Sequence, residues 1–315
     1  MQHQENQIAR RQCLTLIAGA AASTLAPEFC RAEIDKNSLR VAVSVETITG
    51  ANINDGRAAY RVWIDAVERQ TGRVVAEVVP GVFITSDELV RDVRQGTVQC
   101  YGVTALEYAK LVDLSDPDLL VLQDYLADGM EYVLLVHTSS PFKKIADLRG
   151  AQILSHLHRD MVLLPAWLDT MLAAGNLPAA DRFFGGNTPQ DKVNQVVLPV
   201  FFRRADGALL ARRSWDTAVE LNPQLGRDLR PLAVSPKVIP IAIAFRRNCN
   251  PIGRKNLVDS MVSLSTMIAG QQIAALYQSR QFVLRPASVM KGTLELVHQF
   301  ERVSAQQARS RRGPS

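Results

Sequence analysis

The sequence is short of the residues from which most catalytic and metal centres are built. Its 315 residues hold 4 cysteines and 5 histidines, and Cys13, Cys30, Cys100 and Cys249 stand far apart. No HxxxH pair or Cys/His cluster gives the ligand spacing of a zinc site, so no metal is expected. A nucleophile beside a base and a Gly-rich loop that could cradle phosphates are also missing, which argues against an enzyme and against a cofactor. Aromatics make up 6% and the net charge is +5, too little of either for the aromatic and basic footprint of a nucleic-acid surface. Part of that charge lies in Arg309, Arg311 and Arg312, read with Gly313-Pro314-Ser315 as a basic flexible tail over 309–315.

What is present is the composition of a soluble globular chain, 47% hydrophobic and 21% charged, with length enough for two domains. At the N-terminus Arg10-Arg11 precedes the apolar run Leu14 to Ala26. That run is too short to span a membrane and suits a secretory signal, here residues 1–32 with cleavage after Ala32. Arg10-Arg11-Gln12-Cys13-Leu14 partly resembles a twin-arginine signal, so export to the periplasm by that route or the general secretory one is expected. Pro27-Glu28-Phe29 rules out a lipobox at Cys30. Cys100 and Cys249 remain; an oxidising compartment permits a bond between them, and buried free thiols are the preferred reading.

Along the chain, strands and helices alternate. Leu39 to Val45 reads as a buried strand, followed by a helix over 57–70 that stops at Gly72, and a strand over 74–79. Thr85-Ser86-Asp87-Glu88 and Thr104-Ala105-Leu106-Glu107 are capping boxes for two further helices, the second after a strand near Gln99 to Val103. Strands follow at Leu119 to Gln123 and Glu131 to His137, with Asp128-Gly129 as the break where the chain leaves a first lobe. The theme repeats with a strand at Ala151 to Leu154, a helix over 159–174, an aromatic strand at Arg182 to Phe184, and Thr188-Pro189-Gln190-Asp191 as the cap and first turn of another helix. Next come a strand at Gly207 to Ala211 and a helix opening at Trp215 with Ser214 as its cap. Two strands, Leu229 to Val234 and Ile239 to Phe245, flank a second crossing near Ser235 to Pro240, and the C-terminal helices carry apolar stripes such as Leu257, Met261, Leu264 and Ile268. The expectation is an α/β protein of two lobes, each a mostly parallel sheet flanked by helices: lobe I over 33–128 and 238–308, lobe II over 129–237, with two hinge crossings.

In such sheets ligands lie outside the carboxyl ends of the strands. Those ends bring forward Thr47, Tyr101, Thr104 and Tyr108 from the first lobe, and Ser155, His156, His158, Arg212, Arg213 and Ser214 from the second. His156 and His158 alternate along an extended loop and so share a side. Arg212-Arg213-Ser214 makes a basic, hydroxyl-bearing helix start, where free N–H groups and the helix dipole favour an anion.

The order of the motifs resembles a known family. The stretch from Gly207 through "ELNPQLG" to "SPKVIP", the turn Phe142 to Gly150, and Arg94 to Tyr108 (RQGTVQCYGVTALEY) are similar to elements of the periplasmic phosphate/phosphite/phosphonate ABC-transporter substrate-binding proteins, a type II periplasmic binding fold. The resemblance runs from about Leu39 to about Leu276. It implies a monomeric binding protein, without catalysis, that closes by hinge motion on a small phosphonate- or phosphate-like anion and presents it to a membrane permease. In that family the loop after the first strand of the second lobe is rich in Ser and Thr, whereas Leu154 to Met161 here offers Ser155 alone, so a different small anion held by imidazole and guanidinium fits better. Two other classes stay open at this stage: a ligand-sensing module of the same fold feeding a receptor, and a two-lobed transferase.

Overall fold

The computed structural model describes residues 38–48, 53–71, 76–263, 271 and 279–312. The expected signal segment with Cys13 and Cys30, Gly72, Leu264, Ile268 and residues 313–315 lie outside them. Two sheets organise the chain. The first contains β1 (Leu39–Ser44), β2 (Ala76–Ile84), β3 (Cys100–Thr104), β4 (Ser115–Gln123), β10 (Ile241–Arg246) and β11 (Phe282–Arg285), in the order β11-β4-β10-β3-β1-β2. The second contains β5 (Tyr132–His137), β6 (Gln152–His156), β7 (Gly186–Gln190), β8 (Gly207–Ala211) and β9 (Leu229–Val234), in the order β7-β6-β8-β5-β9.

The sheets are mixed, where the sequence suggested mostly parallel ones. Strands joined through helices, β1 with β2 and β3 and β6 with β7 and β8, pair in parallel. Strands that enter or leave a lobe do not: β10 lies antiparallel between β3 and β4, and β5 antiparallel between β8 and β9. Parallel neighbours need a crossover connection, and a strand arriving from the other lobe has none.

The chain changes sheet twice. It leaves the first after β4 through a 3₁₀ turn, Asp124–Leu126, and returns between β9 and β10, and a lone antiparallel bridge, Met130 to Val238, ties the crossings together. Gly129 has φ 74°, and a Cβ there would stand 3.1 Å from that of Lys237. Only glycine takes both the left-handed backbone and the close approach at low cost.

Each sheet has its own outer core, Leu39, Phe245, Leu257 and Met261 against the first and Val196, Val200, Trp215 and Leu225 against the second. The largest apolar cluster belongs to both. It joins Tyr101, Tyr108 and Leu120 of one lobe to Tyr132, Leu134 and Trp167 of the other, with Met290, Leu296 and Val297 between. Leu296 and Val297 sit on α10 (Lys291–Arg312), which packs on α3 (Ala105–Ala109) of the first lobe and on α4 (Leu164–Ala174) of the second. The lobes are therefore joined by a common inner core as well as by the crossings.

Several local readings change. Arg309, Arg311 and Arg312 continue α10 and form no tail up to that point. The helix expected over 159–174 divides into a 3₁₀ turn, Arg159–Met161, and α4, because Pro165 suits a first helical turn and disfavours helix before it. Arg182 and Phe183 end a helical turn, α5 (Ala180–Phe183), and Thr188-Pro189-Gln190 is β7 itself. Proline is admissible there because β7 is an edge strand, and α6 (Val193–Phe201) starts later, with Lys192 in the cap position. The two capping boxes form as expected, Thr85 with Glu88 at α2 (Ser86–Gln95) and Thr104 with Glu107 at α3. Cys100 and Cys249 are buried free thiols. No helix among the described residues is long and apolar enough to cross a membrane.

Candidate functional site

β8 is fully buried in the middle of the second sheet and ends at Ala211. α7 (Arg212–Leu221) begins on the next residue, one turn earlier than Ser214 would have placed it as a cap. The cap position is Ala211, which has no polar side chain, so no side-chain hydrogen bond closes this helix start. Arg212 N–H donates to the Glu131 carbonyl at 2.8 Å, and Ser214 falls at the third helical position. The N–H groups of the first helical turn have no intrahelical acceptor. Two residues of that turn, Arg213 and Ser214, line a cavity of about 1000 Å³. Trp215, buried on the opposite side, roots the helix in the core of the second lobe.

The end of β6 and the loop after it line the same cavity. The rings of His156 and His158 stack 5.5 Å apart at 13°, on one side of an extended chain as their alternation suggested. His158 Nδ1 accepts from Asp160 N–H at 3.3 Å, which leaves the ring proton on Nε2. Burial holds both imidazoles below their ordinary range, against the opposing pull of the Asp160 carboxylate and, for His156, of Asp191. Both rings are thus uncharged near neutrality and can offer N–H donors without a buried charge. Ser155 is buried behind them, its backbone paired with β7 and β8.

Beneath the imidazoles lies a polar cluster that sequence reasoning missed. Arg159 and Asp160 are buried, with Arg159 Nε 3.5 Å from Asp160 Oδ1. The Tyr125 hydroxyl donates to Asp160, 3.1 Å from each carboxylate oxygen, and accepts from Arg159 Nη2 at 3.2 Å. Burial, then the neighbouring Asp160, pushes the Tyr125 phenol up to about 12, so it stays a donor. The Arg213 guanidinium lies 4.5 Å over the Tyr125 ring, and the Tyr132 hydroxyl donates to the Asp160 carbonyl at 2.7 Å. The signal that could have found Tyr125 was its position, just past the carboxyl end of a strand and at the start of a crossing.

Charged side chains of both signs line the cavity, four cationic, Lys192, Arg212, Arg213 and Lys237, and five carboxylates, Glu131, Asp160, Asp191, Asp216 and Glu220. Arg212 is largely spent, since its Nε donates to Asp216 Oδ1 at 2.9 Å in an exposed i,i+4 pair.

The first-lobe candidates are placed differently from expectation, because their hydroxyls are consumed inside the fold. Thr47 is buried and donates to the Ser44 carbonyl at 2.8 Å. Thr104, also buried, donates to Glu107 Oε2 at 2.9 Å and accepts from Glu107 N–H at 3.3 Å. Tyr101 is fully buried with its hydroxyl 2.6 Å from Ser115 Oγ, and Tyr108 is fully buried in the shared core. None of these four lines the cavity that holds His156 and Ser214. The 3₁₀ turn Val45–Ile48 nonetheless lies against the turn Arg159–Met161, so the ends of β1 and β6 come together beside the site.

Two lobes with crossed connections, and a polar cavity at the strand ends beside the crossings, define the class of two-lobed solute-binding proteins. Residues 51–287 match the family of ABC transporter, phosphonate, periplasmic substrate-binding proteins, and the chain belongs to that family. Solved structures share the fold at low identity. A binding protein component of an ABC phosphonate transporter from Pseudomonas aeruginosa superposes with a TM-score of 0.54 at 13% identity, over 85% of this chain and 88% of that one. A methylphosphonate complex of a Prochlorococcus marinus protein gives 0.53 at 14%, over 84% and 98%. A Xanthomonas citri protein bound to ATP gives 0.55 at 17%, over 85% and 99%. No curated protein matches the sequence.

Proposed function

We propose that this protein is the exported solute-capturing component of an ABC uptake system, and that its ligand is a small phosphonate- or phosphate-like anion seated between the start of α7 and the His156–His158 pair. The observation that carries the reading is the uncapped first turn of α7, with Arg213 beside it, across a cavity from two uncharged imidazoles. N–H groups and a guanidinium supply attraction for an oxyanion, and neutral imidazoles supply donors that fix its orientation. Family membership supports transport and the partnership with a membrane permease. The methylphosphonate and ATP in the two neighbours suit a phosphorus oxyanion as the common element. The Arg10-Arg11 leader over residues 1–32 supports a periplasmic location.

The lobe I hydroxyls are internally bonded, so the second lobe makes the primary contacts and closure adds whatever affinity the first contributes. The test is a calorimetric and thermal-shift panel of phosphate, phosphite, methylphosphonate, an alkylsulfonate and a carboxylate. A phosphorus oxyanion should bind and remain chemically intact. Arg213→Ala should weaken it by about tenfold or more, the scale of a lost charge-assisted bond. Arg212→Ala should cost little, because Asp216 already occupies that guanidinium. Equal loss in both variants, or preference for the carboxylate, contradicts the reading.

A further inference from the structure

Tyr125 belongs to one lobe and touches the other. Its backbone is rooted in the first: the preceding residue, Asp124, accepts from Ser279 Oγ at 2.9 Å through Oδ1 and donates its N–H to the Gln281 carbonyl at 3.1 Å. Its side chain reaches both parts of the second lobe that make the anion site. The hydroxyl bonds Asp160 and Arg159 at the foot of the imidazole loop, and the ring face carries the Arg213 guanidinium 4.5 Å away at the helix start.

This arrangement meets two separate physical needs. Arg213 is an exposed residue at the start of a helix, and a long cationic side chain there loses rotamer freedom when a ligand fixes it. A ring beneath its guanidinium restricts it beforehand by a cation–π contact. Asp160 is a buried carboxylate beside His158, and the hydroxyl satisfies it without adding charge, so the loop keeps its shape while the imidazoles stay neutral. We propose that Tyr125 is a positioning residue for the anion site, which holds Arg213 and the His156–Asp160 loop in register from the first lobe. The inference rests on the anion-site reading. It adds that the site is preorganised across the crossing, so a ligand pulling on Arg213 is felt where the lobes join.

Two variants separate the parts: Tyr125→Phe keeps the ring and deletes the hydroxyl, and Tyr125→Leu removes both. Calorimetric titration with methylphosphonate and with inorganic phosphate should show binding weakened about tenfold by Tyr125→Phe and further by Tyr125→Leu. Both comparisons are made well below the melting temperature of each variant. Tyr125→Phe binding within about twofold of the wild type overturns the proposal, whether or not Tyr125→Leu folds. A ligand-free measurement keeps it apart from the anion reading. The Arg213 Nε–H resonance, assigned with Arg213→Lys, should be shifted upfield by the ring in the wild-type protein. A shifted resonance in a protein that binds neither anion upholds the positioning and removes the anion reading; an unshifted one overturns the positioning itself.

Discussion

Burial disfavours the charged forms of His156 and His158, and that preference has a consequence for stability. Both have folded-state pKa values lowered from the ordinary 6.5. The unfolded chain therefore binds more protons than the native protein as the pH falls through that value, and stability declines with it. Their contribution is fully present above 6.5, the unfolded value, and is lost as the pH drops toward and through the lowered folded values. The charges that bear on the pair are Asp160 and Asp191, which favour protonation, and Arg159, which opposes it. The melting temperature should accordingly fall as the pH drops from above 6.5 to below it, and the His156→Gln, His158→Gln double variant should show a flatter profile over that window. Identical slopes would mean that other groups control the acid limb. A bound anion should oppose the decline, since it favours the protonated rings.

At the level of elements, the same capping box serves two different ends. At α2, Thr85 and Glu88 are exposed and the box contributes the usual increment of a helix cap. At α3, Glu107 is buried, takes a 2.5 Å hydrogen bond from Ser44 Oγ, and so fastens the strand end of β1 to the cap of α3. Thr85→Ala should cost about 1 kcal/mol. Thr104→Ala should cost more, about 1–3 kcal/mol, because it strips one donor, the Thr104 hydroxyl, from a buried carboxylate. Neither should alter anion affinity at a temperature where both variants are folded, measured by denaturant melts beside calorimetry. A Thr104→Ala variant of undiminished stability and lost affinity would return Thr104 to the ligand wall. Both boxes were legible in the sequence because capping is set by residues three apart, and β8 was legible to the residue as a short apolar run. The start of α7 was not, because Ser214 is a good cap in isolation, whereas Arg212 N–H is claimed by the carbonyl of Glu131, distant in the chain and just ahead of β5. Pro189 misled for a related reason: only the sheet order reveals that it lies on an edge. For the site, the imidazole alternation and the arginine pair could be read, being local. The burial of Thr47, Tyr101, Thr104 and Tyr108 and the reach of Tyr125 to Asp160 depend on contacts between residues distant in the chain.

Over the whole molecule, two mixed sheets are bound by a pair of crossings and by α10, which shares its apolar face between lobes. Its cavity lies beside the place where the ends of β1 and β6 come together. In the proposed function capture falls to the second lobe and the first has a supporting part, through Tyr125 and the turn Val45–Ile48. The most direct test is a crystal structure of the protein grown with saturating methylphosphonate, and in parallel with phosphate. The account predicts density for an oxyanion within hydrogen-bonding distance of the Arg213 and Ser214 N–H groups and of the His156–His158 pair. An anion held instead by the hydroxyls of Thr47 and Thr104, with the start of α7 left to solvent, would contradict it.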